Sequence, residues 1–290
     1  MWKRAITRPG PLNSVSRNHD QTLTIDEIKT SPQPKIEVRN LTMSYPVKGN
    51  GGPVAVLEDI NLEVKPGELV CIVGPSGCGK TTLLNIIAGF LSASHGQVNI
   101  DDTPVSGPNR RRIFIFQENG VFPWLTVREN IGFGILDSSS SERRRLIDYY
   151  IGMVGLAGFE ETYPAELSGG MKQRVEIARA LVANPDVLYM DEPFGALDFF
   201  TRLRMRDELI SLWQREKKTI LFVTHDVEEA VQLADRVVIM SQRPSSIRTI
   251  VNVALPRPRD LDSSAYIAIR SQIFETMGLD HSGHSHEAKQ

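Results

Sequence analysis

Residues 74–84 read GPSGCGKTTLL, and the apolar run LVCIVG at 69–74 leads straight into them. Three glycines, one lysine and two threonines stand where a buried strand should turn into a helix. The spacing Gly74-x-x-x-x-Gly79-Lys80-Thr81 is that of a phosphate cradle, and it has the required context of strand before and helix after. Glycines let the backbone wrap an anion so that several N–H groups point inward. The helix N-terminus adds the positive end of its dipole. Lys80 supplies a point charge for the β- and γ-phosphates, and the Thr81 hydroxyl can ligate Mg²⁺. Pro75, Ser76, Gly77, Cys78 and Thr82 complete the candidate phosphate-binding stretch, with Cys78 read as a small packing residue.

Such a cradle needs a carboxylate for the metal, usually at the end of a neighbouring buried strand. The segment VLYMDEP offers two, Asp191 and Glu192, behind four apolar residues. Adjacent carboxylates can divide the work: Asp191 holds Mg²⁺ through water, and Glu192 polarises the water that attacks the γ-phosphate.

Outward from these two segments the chain alternates between strand and helix. IEVRNLTMSY and VLEDINLEV read as strands around a GNGG loop, QVNIDD and RIFIFQ as two more, and TTLLNIIAGF as a helix. DVLYMDEP, TILFVTHD and RVVIMS are strands separated by helices near 201–216 and at VEEAVQLA. This alternation predicts an α/β fold with a mainly parallel sheet covered by helices. Residues 118–167 change to helical periodicity, broken by a DSSSSE loop at 137–142, and read as an inserted helical subdomain. MKQRVEIARALV is a helix stopped by Asn184-Pro185, with Val175, Ala178, Leu181 and Val182 on one face. Asp226 with Glu229 three residues on reads as an acidic capping box opening the helix after His225.

Residues 1–34 are polar, aperiodic and proline-interrupted, and are expected to form a mobile arm. The main domain is expected over 35–255. A short extension at 256–290 carries one helix near 264–277 and a polar tail with His281, His284 and His286.

Composition narrows the possible functions. With 33 basic and 35 acidic residues the net charge is −2, so no overall basic field argues for nucleic acid as a partner. Arg110–Arg112 and Arg143–Arg145 are local runs suited to solvated faces. Two cysteines, Cys71 and Cys78, are too few for a disulfide framework or a zinc site and suit a reduced cytosol. No uninterrupted apolar segment reaches the ~20 residues of a membrane span. The basic N-terminus has no apolar core behind it, as a secretory signal would. Work at a membrane would require binding something that spans it.

LSGGMKQR at 167–174 adds a second anion-binding helix start, with Ser168, Gly169 and Gly170 at its N-terminus. With this segment the chain resembles the nucleotide-binding subunit of ABC transporters over roughly residues 35–255. The motifs follow the family's order. Tyr45 stands at the adenine-stacking position, followed by the Walker A loop Gly74–Thr82 and by Gln117 of the Q-loop. Then come the LSGGM signature, Walker B at VLYMDEP, the D-loop GALD with Asp198, and the switch histidine His225 in FVTHD.

The resemblance implies a P-loop NTPase core with an N-terminal antiparallel β subdomain and the inserted helical subdomain. It implies two ATP-binding subunits, a homodimer or a pair of paralogues, facing head to tail. ATP would lie between the Walker A loop of one and Ser168, Gly169 and Gly170 of the other. Gln117 would sense Mg²⁺ and the attacking water, His225 would contact the γ-phosphate, and Asp198 would couple the two sites. One P-loop, one signature and no spanning segment point to a separate ATPase subunit of a multi-chain importer. Its partners would be transmembrane permease subunits and, indirectly, a periplasmic or lipid-anchored solute-binding protein. It would sit peripherally on the cytoplasmic face of the inner membrane. The wording of FQENGVFPWLTVRENI and of EAVQLADRVVIMSQRPSSI is similar to the nitrate, sulfonate, taurine and bicarbonate group. An ABC ATPase serving lipid handling or another membrane task is the competing reading.

Overall fold

A computed structural model describes residues 33–46, 52–117, 120–135 and 139–278. The predicted arm, apart from its last two residues, and the histidines of the tail lie outside the described residues.

The central sheet starts from three uninterrupted apolar runs: β3 (Leu69–Val73), β7 (Val187–Asp191) and β8 (Thr219–Val223). Every residue of all three is buried, as expected of parallel strands covered on both faces. With β6 (Arg112–Ile115), β9 (Arg236–Met240) and β10 (Ile247–Asn252) they form a six-stranded sheet in the order β10-β9-β3-β8-β7-β6. Only β10 runs antiparallel to its neighbour. Strands β1 (Ile36–Tyr45), β2 (Val54–Val64), β4 (His95–Ile100) and β5 (Thr103–Pro104) form a separate antiparallel sheet in the order β2-β1-β4-β5.

Strand alternation divides the core in two. Leu69, Cys71 and Val73 face one apolar cluster, whereas Val70 and Ile72 face the other. The second cluster joins the antiparallel sheet to α1 (Lys80–Ala88) through Leu83, Leu84 and Ile87. The first takes α2 (Val127–Gly132), α3 (Ser140–Met153), α4 (Gly169–Val182), α5 (Phe199–Glu216), α6 (Val227–Leu233) and α7 (Ser264–Met277). Val175, Ala178, Leu181 and Val182 are buried on α4, as their spacing predicts. Among the described residues, no helix is long and apolar enough to cross a membrane.

Three local expectations are corrected. The DSSSSE stretch is not all loop, because Ser139 accepts from the Glu142 N–H and Ser140 opens α3. The fourth strand ends at Ile100, since Asp101 and Asp102 take φ of 50° and 57° in the turn to β5. The capping box after His225 is only half present. Asp226 accepts from the Glu229 N–H at 3.2 Å, but the Glu229 carboxylate turns to Arg206 on α5, 2.9 Å away. Glu229 is buried, and a buried carboxylate left without a cation is costly.

Candidate functional site

The cradle lies where β3 gives way to α1. Gly79 has φ 109°, and a Cβ there would come within 2.9 Å of Val56, so only glycine fits the last turn before the helix. It caps α1 without a side-chain bond, leaving the first-turn N–H groups for another acceptor. Lys80 is buried, its Nζ donating to the carbonyls of Gly74 at 2.9 Å and Pro75 at 3.0 Å. Those bonds fold the loop back over its own lysine. Cys78 is buried as well, its Sγ beside Gly74, in keeping with a packing role.

Across the sheet's carboxyl edge, Asp191 ends β7. It is 3% exposed, and its Oδ1 has no hydrogen-bond partner. Burial raises its carboxyl above the usual aspartate range, and the Thr81 hydroxyl partly offsets this. A buried, unpaired carboxylate oxygen beside a threonine hydroxyl fits a divalent cation. The described residues hold no cluster of three or more His, Cys, Asp or Glu able to bind a metal. Thr81 and Gln117, the other side chains the sequence assigns to the metal, line one cleft.

Glu192 follows with φ 47°, a left-handed conformation unusual for a side-chain-bearing residue, fixed by its N–H donating to Val223 O at 2.9 Å. Its Oε2 accepts from Gln117 Nε2 at 3.3 Å and lies 3.1 Å from His225 Nδ1. The three side chains come from the ends of β6, β7 and β8. With Ser76, Gly77, Gly79, Lys80, Thr81 and Thr82 they line one cleft of about 520 Å³.

Other predicted residues stand elsewhere. Tyr45 ends β1, 39% exposed and outside the residues lining that cleft. Ser168 caps α4 by accepting from the Met171 N–H, and Gly169 has open space where a Cβ would point. Gly170 packs against Ala196 and Leu197. Asp198 caps α5, and hydrogen bonds from Thr201 hold its carboxyl below the usual range. Within one chain, therefore, the LSGGM and GALD segments neighbour each other, and neither lines the cleft.

Two features escape motif reading. Arg243, just beyond β9, lines the same cleft. The carboxyl ends of parallel strands are where open α/β sheets bind ligands, and that was the available signal. Glu176 on α4 accepts from the backbone N–H of Phe116 at 3.3 Å and of Gly120 at 2.9 Å. It thus grips the chain on either side of Gln117 from the helix that Ser168 opens.

A family model described as ABC transporter matches residues 57–195. Over 233 residues the chain is 46% identical to the aliphatic sulfonates import ATP-binding protein SsuB of Bacillus cereus, covering 79% of this chain and 92% of that one. It is 50% identical over 210 residues to the nitrate import ATP-binding protein NrtD of Synechocystis, covering 72% and 79%. Among solved structures, the dimeric ATP-binding cassette MJ0796 bound to ADP and Pi is similar, with a TM-score of 0.67 and 33% identity. That match covers 75% of this chain and 98% of that one.

Proposed function

The chain belongs to the ABC transporter family of ATP-binding proteins, and from that premise we propose that it powers a multi-chain importer of a small anion, nitrate or an organic sulfonate. The observation that carries the hydrolytic part is the Glu192 carboxylate held between Gln117 and His225 in the cleft that also contains Lys80 and Thr81.

In this reading the first-turn N–H groups of α1 and the Lys80 ammonium bind the phosphates. Glu192 accepts a proton from the water that attacks the γ-phosphate, with Gln117 and His225 fixing its orientation. A Mg²⁺ ion held by Thr81, Gln117 and Asp191 would neutralise charge developing on the phosphate oxygens. Tyr45 stacks on the adenine from outside the cleft.

The site would be completed by a second subunit. Ser168, Gly169 and Gly170 present a helix start that their own cleft does not use, and the similar cassette MJ0796 was solved as a dimer. ATP between the two surfaces would close the pair and hydrolysis would release it, with Asp198 beside the signature helix coupling the two sites. Permease subunits would hold the pair at the cytoplasmic face of the inner membrane, and a solute-binding protein would deliver the anion to them.

The test is co-expression with permease and solute-binding protein, reconstitution in vesicles, and measurement of ATP hydrolysis and uptake. Nitrate or a sulfonate should stimulate hydrolysis only when the matching solute-binding protein is present. Hydrolysis that responds to neither anion and drives no uptake would favour the lipid-handling alternative.

A further inference from the structure

We propose that Arg243 is a second phosphate-binding cation, placed to contact the terminal phosphate of the bound nucleotide; this rests on the nucleotide-binding reading above. Two clefts meet at its side chain. One, of about 520 Å³, holds Lys80, Thr81, Gln117, Glu192 and His225. The other, of about 440 Å³, lies between Pro75–Cys78 and Gln242–Arg243. Ser76, Gly77 and Arg243 line both clefts, so Arg243 flanks the phosphate loop at Ser76–Gly77. It shares the larger cleft with Gln117, Glu192 and His225, the groups assigned to the terminal phosphate and its attacking water, so a cation among them faces that phosphate.

The loop that carries Arg243 is pinned. The Ser241 and Ser246 backbones bond at 2.9 Å, and Ser241 Oγ accepts from the Ser246 N–H at 2.9 Å. Ser245 is fully buried and stitched to β2, its N–H donating to Val56 O and its carbonyl accepting from the Glu58 N–H, both at 2.9 Å. Only the tip is free to reach into the cleft. Arg243 itself is exposed, and among the described residues it has neither an ion-pair partner nor a hydrogen bond. An unpaired guanidinium on a pinned loop beside a phosphate cradle has the geometry of a clamp for an oxyanion.

The test compares equilibrium binding of a non-hydrolysable ATP analogue and of ADP. It uses wild-type subunit, Arg243→Gln, Arg243→Lys and Lys80→Ala, at concentrations where light scattering shows monomer. Arg243→Gln should weaken the triphosphate by roughly fivefold to tenfold and ADP by less than about threefold, the scale of a charge-assisted contact discounted for exposure. Lysine should restore most of the loss, and the glutamine variant should show a shallower salt dependence than wild type. The proposal is overturned by unchanged triphosphate affinity, by an equal loss for both nucleotides, or by failure of lysine to restore. A deficit seen only on dimerisation would assign Arg243 to the partner subunit and equally overturn it. Lys80→Ala separates the two readings: if it loses nucleotide while Arg243→Gln does not, the cradle stands and the clamp falls.

Discussion

His225 Nδ1 lies 3.1 Å from Glu192 Oε2, so the end of β8 reaches across to the carboxylate that follows β7. Gln117 reaches the same oxygen from β6. The proposed base is thus oriented from two sides, and its loss should differ from loss of the phosphate charge. Glu192→Gln should bind ATP and accumulate the closed dimer, with hydrolysis reduced at least ~100-fold. Lys80→Ala should bind ATP poorly, because it removes both the charge and the two bonds that shape the loop. Wild-type turnover in Glu192→Gln would show that the base lies elsewhere.

Tyr45 is paired with Val54 at the end of β1 and 39% exposed, so the core gives it little reason to be aromatic. As a stacking platform, Tyr45→Ala should weaken nucleotide binding by about 1–3 kcal/mol. ATP and GTP should suffer alike, since every base has a π-face. Titration calorimetry that finds ATP affinity unchanged would leave Tyr45 as a surface residue at a strand end.

Arg206 on α5 is the buried cation that fixes α6, bonding Glu229 at 3.0 Å, Asp226 at 3.0 Å and Gln232 at 3.2 Å. Arg206→Ala strands Glu229 in the core and should cost about 3–5 kcal/mol. Burial already raises the Glu229 carboxyl above its ordinary 4.5, and Arg206 opposes that shift. Without the arginine the rise is larger. A carboxyl with a raised folded pKa binds its proton more tightly in the fold than in the unfolded chain. Its contribution to stability is therefore fully present below the unfolded pKa and lost as pH rises through the folded one. The melting deficit of Arg206→Ala should accordingly shrink on acidification through the window just above 4.5 and be greatest at neutral pH. A deficit independent of pH would mean that Glu229 finds another partner.

The sheet was legible because its strands are buried on both faces: LVCIV, VLYMD and TILFV run through apolar side chains with Asp191 and Thr219 only at a strand end, so nothing in them alternates like a surface helix. The positions of the cradle, Asp191, Glu192 and His225 were legible because each ends or follows such a strand. Local rules misled where a tertiary partner outbid them. Glu229 satisfied the capping spacing, but its carboxylate went to a cation on α5, a different element. Arg243 was marked only by its place just beyond a parallel strand, and Glu176 by nothing. Neither has a local pattern, and their meaning comes only from what the fold brings against them.

Trp124 closes a short aromatic ladder beyond the Q-loop. Its ring centroid is 5.6 Å from Phe122, which meets Phe133 at 4.7 Å and lies under the Arg179 guanidinium at 4.6 Å. The sequence leaves open whether these rings fill a core or meet a partner, and exposure separates them. Phe122 is half-buried, whereas Trp124 is 68% and Phe133 58% exposed. Neighbouring exposed rings of this size serve as interface anchors more readily than as solvated surface. A short helix from the permease is the occupant that the importer reading supplies. Truncating an exposed ring should leave stability within about 0.5 kcal/mol, a melting shift below about 2 °C for a chain of this size. Trp124→Ala should therefore keep its melting temperature and nucleotide affinity while failing to copurify with the permease. Phe122→Ala should lower the melting temperature and also impair copurification, because its ring supports the ladder from within. If Trp124→Ala assembles normally, the ladder is not the docking surface, and permease contact must be sought on another face.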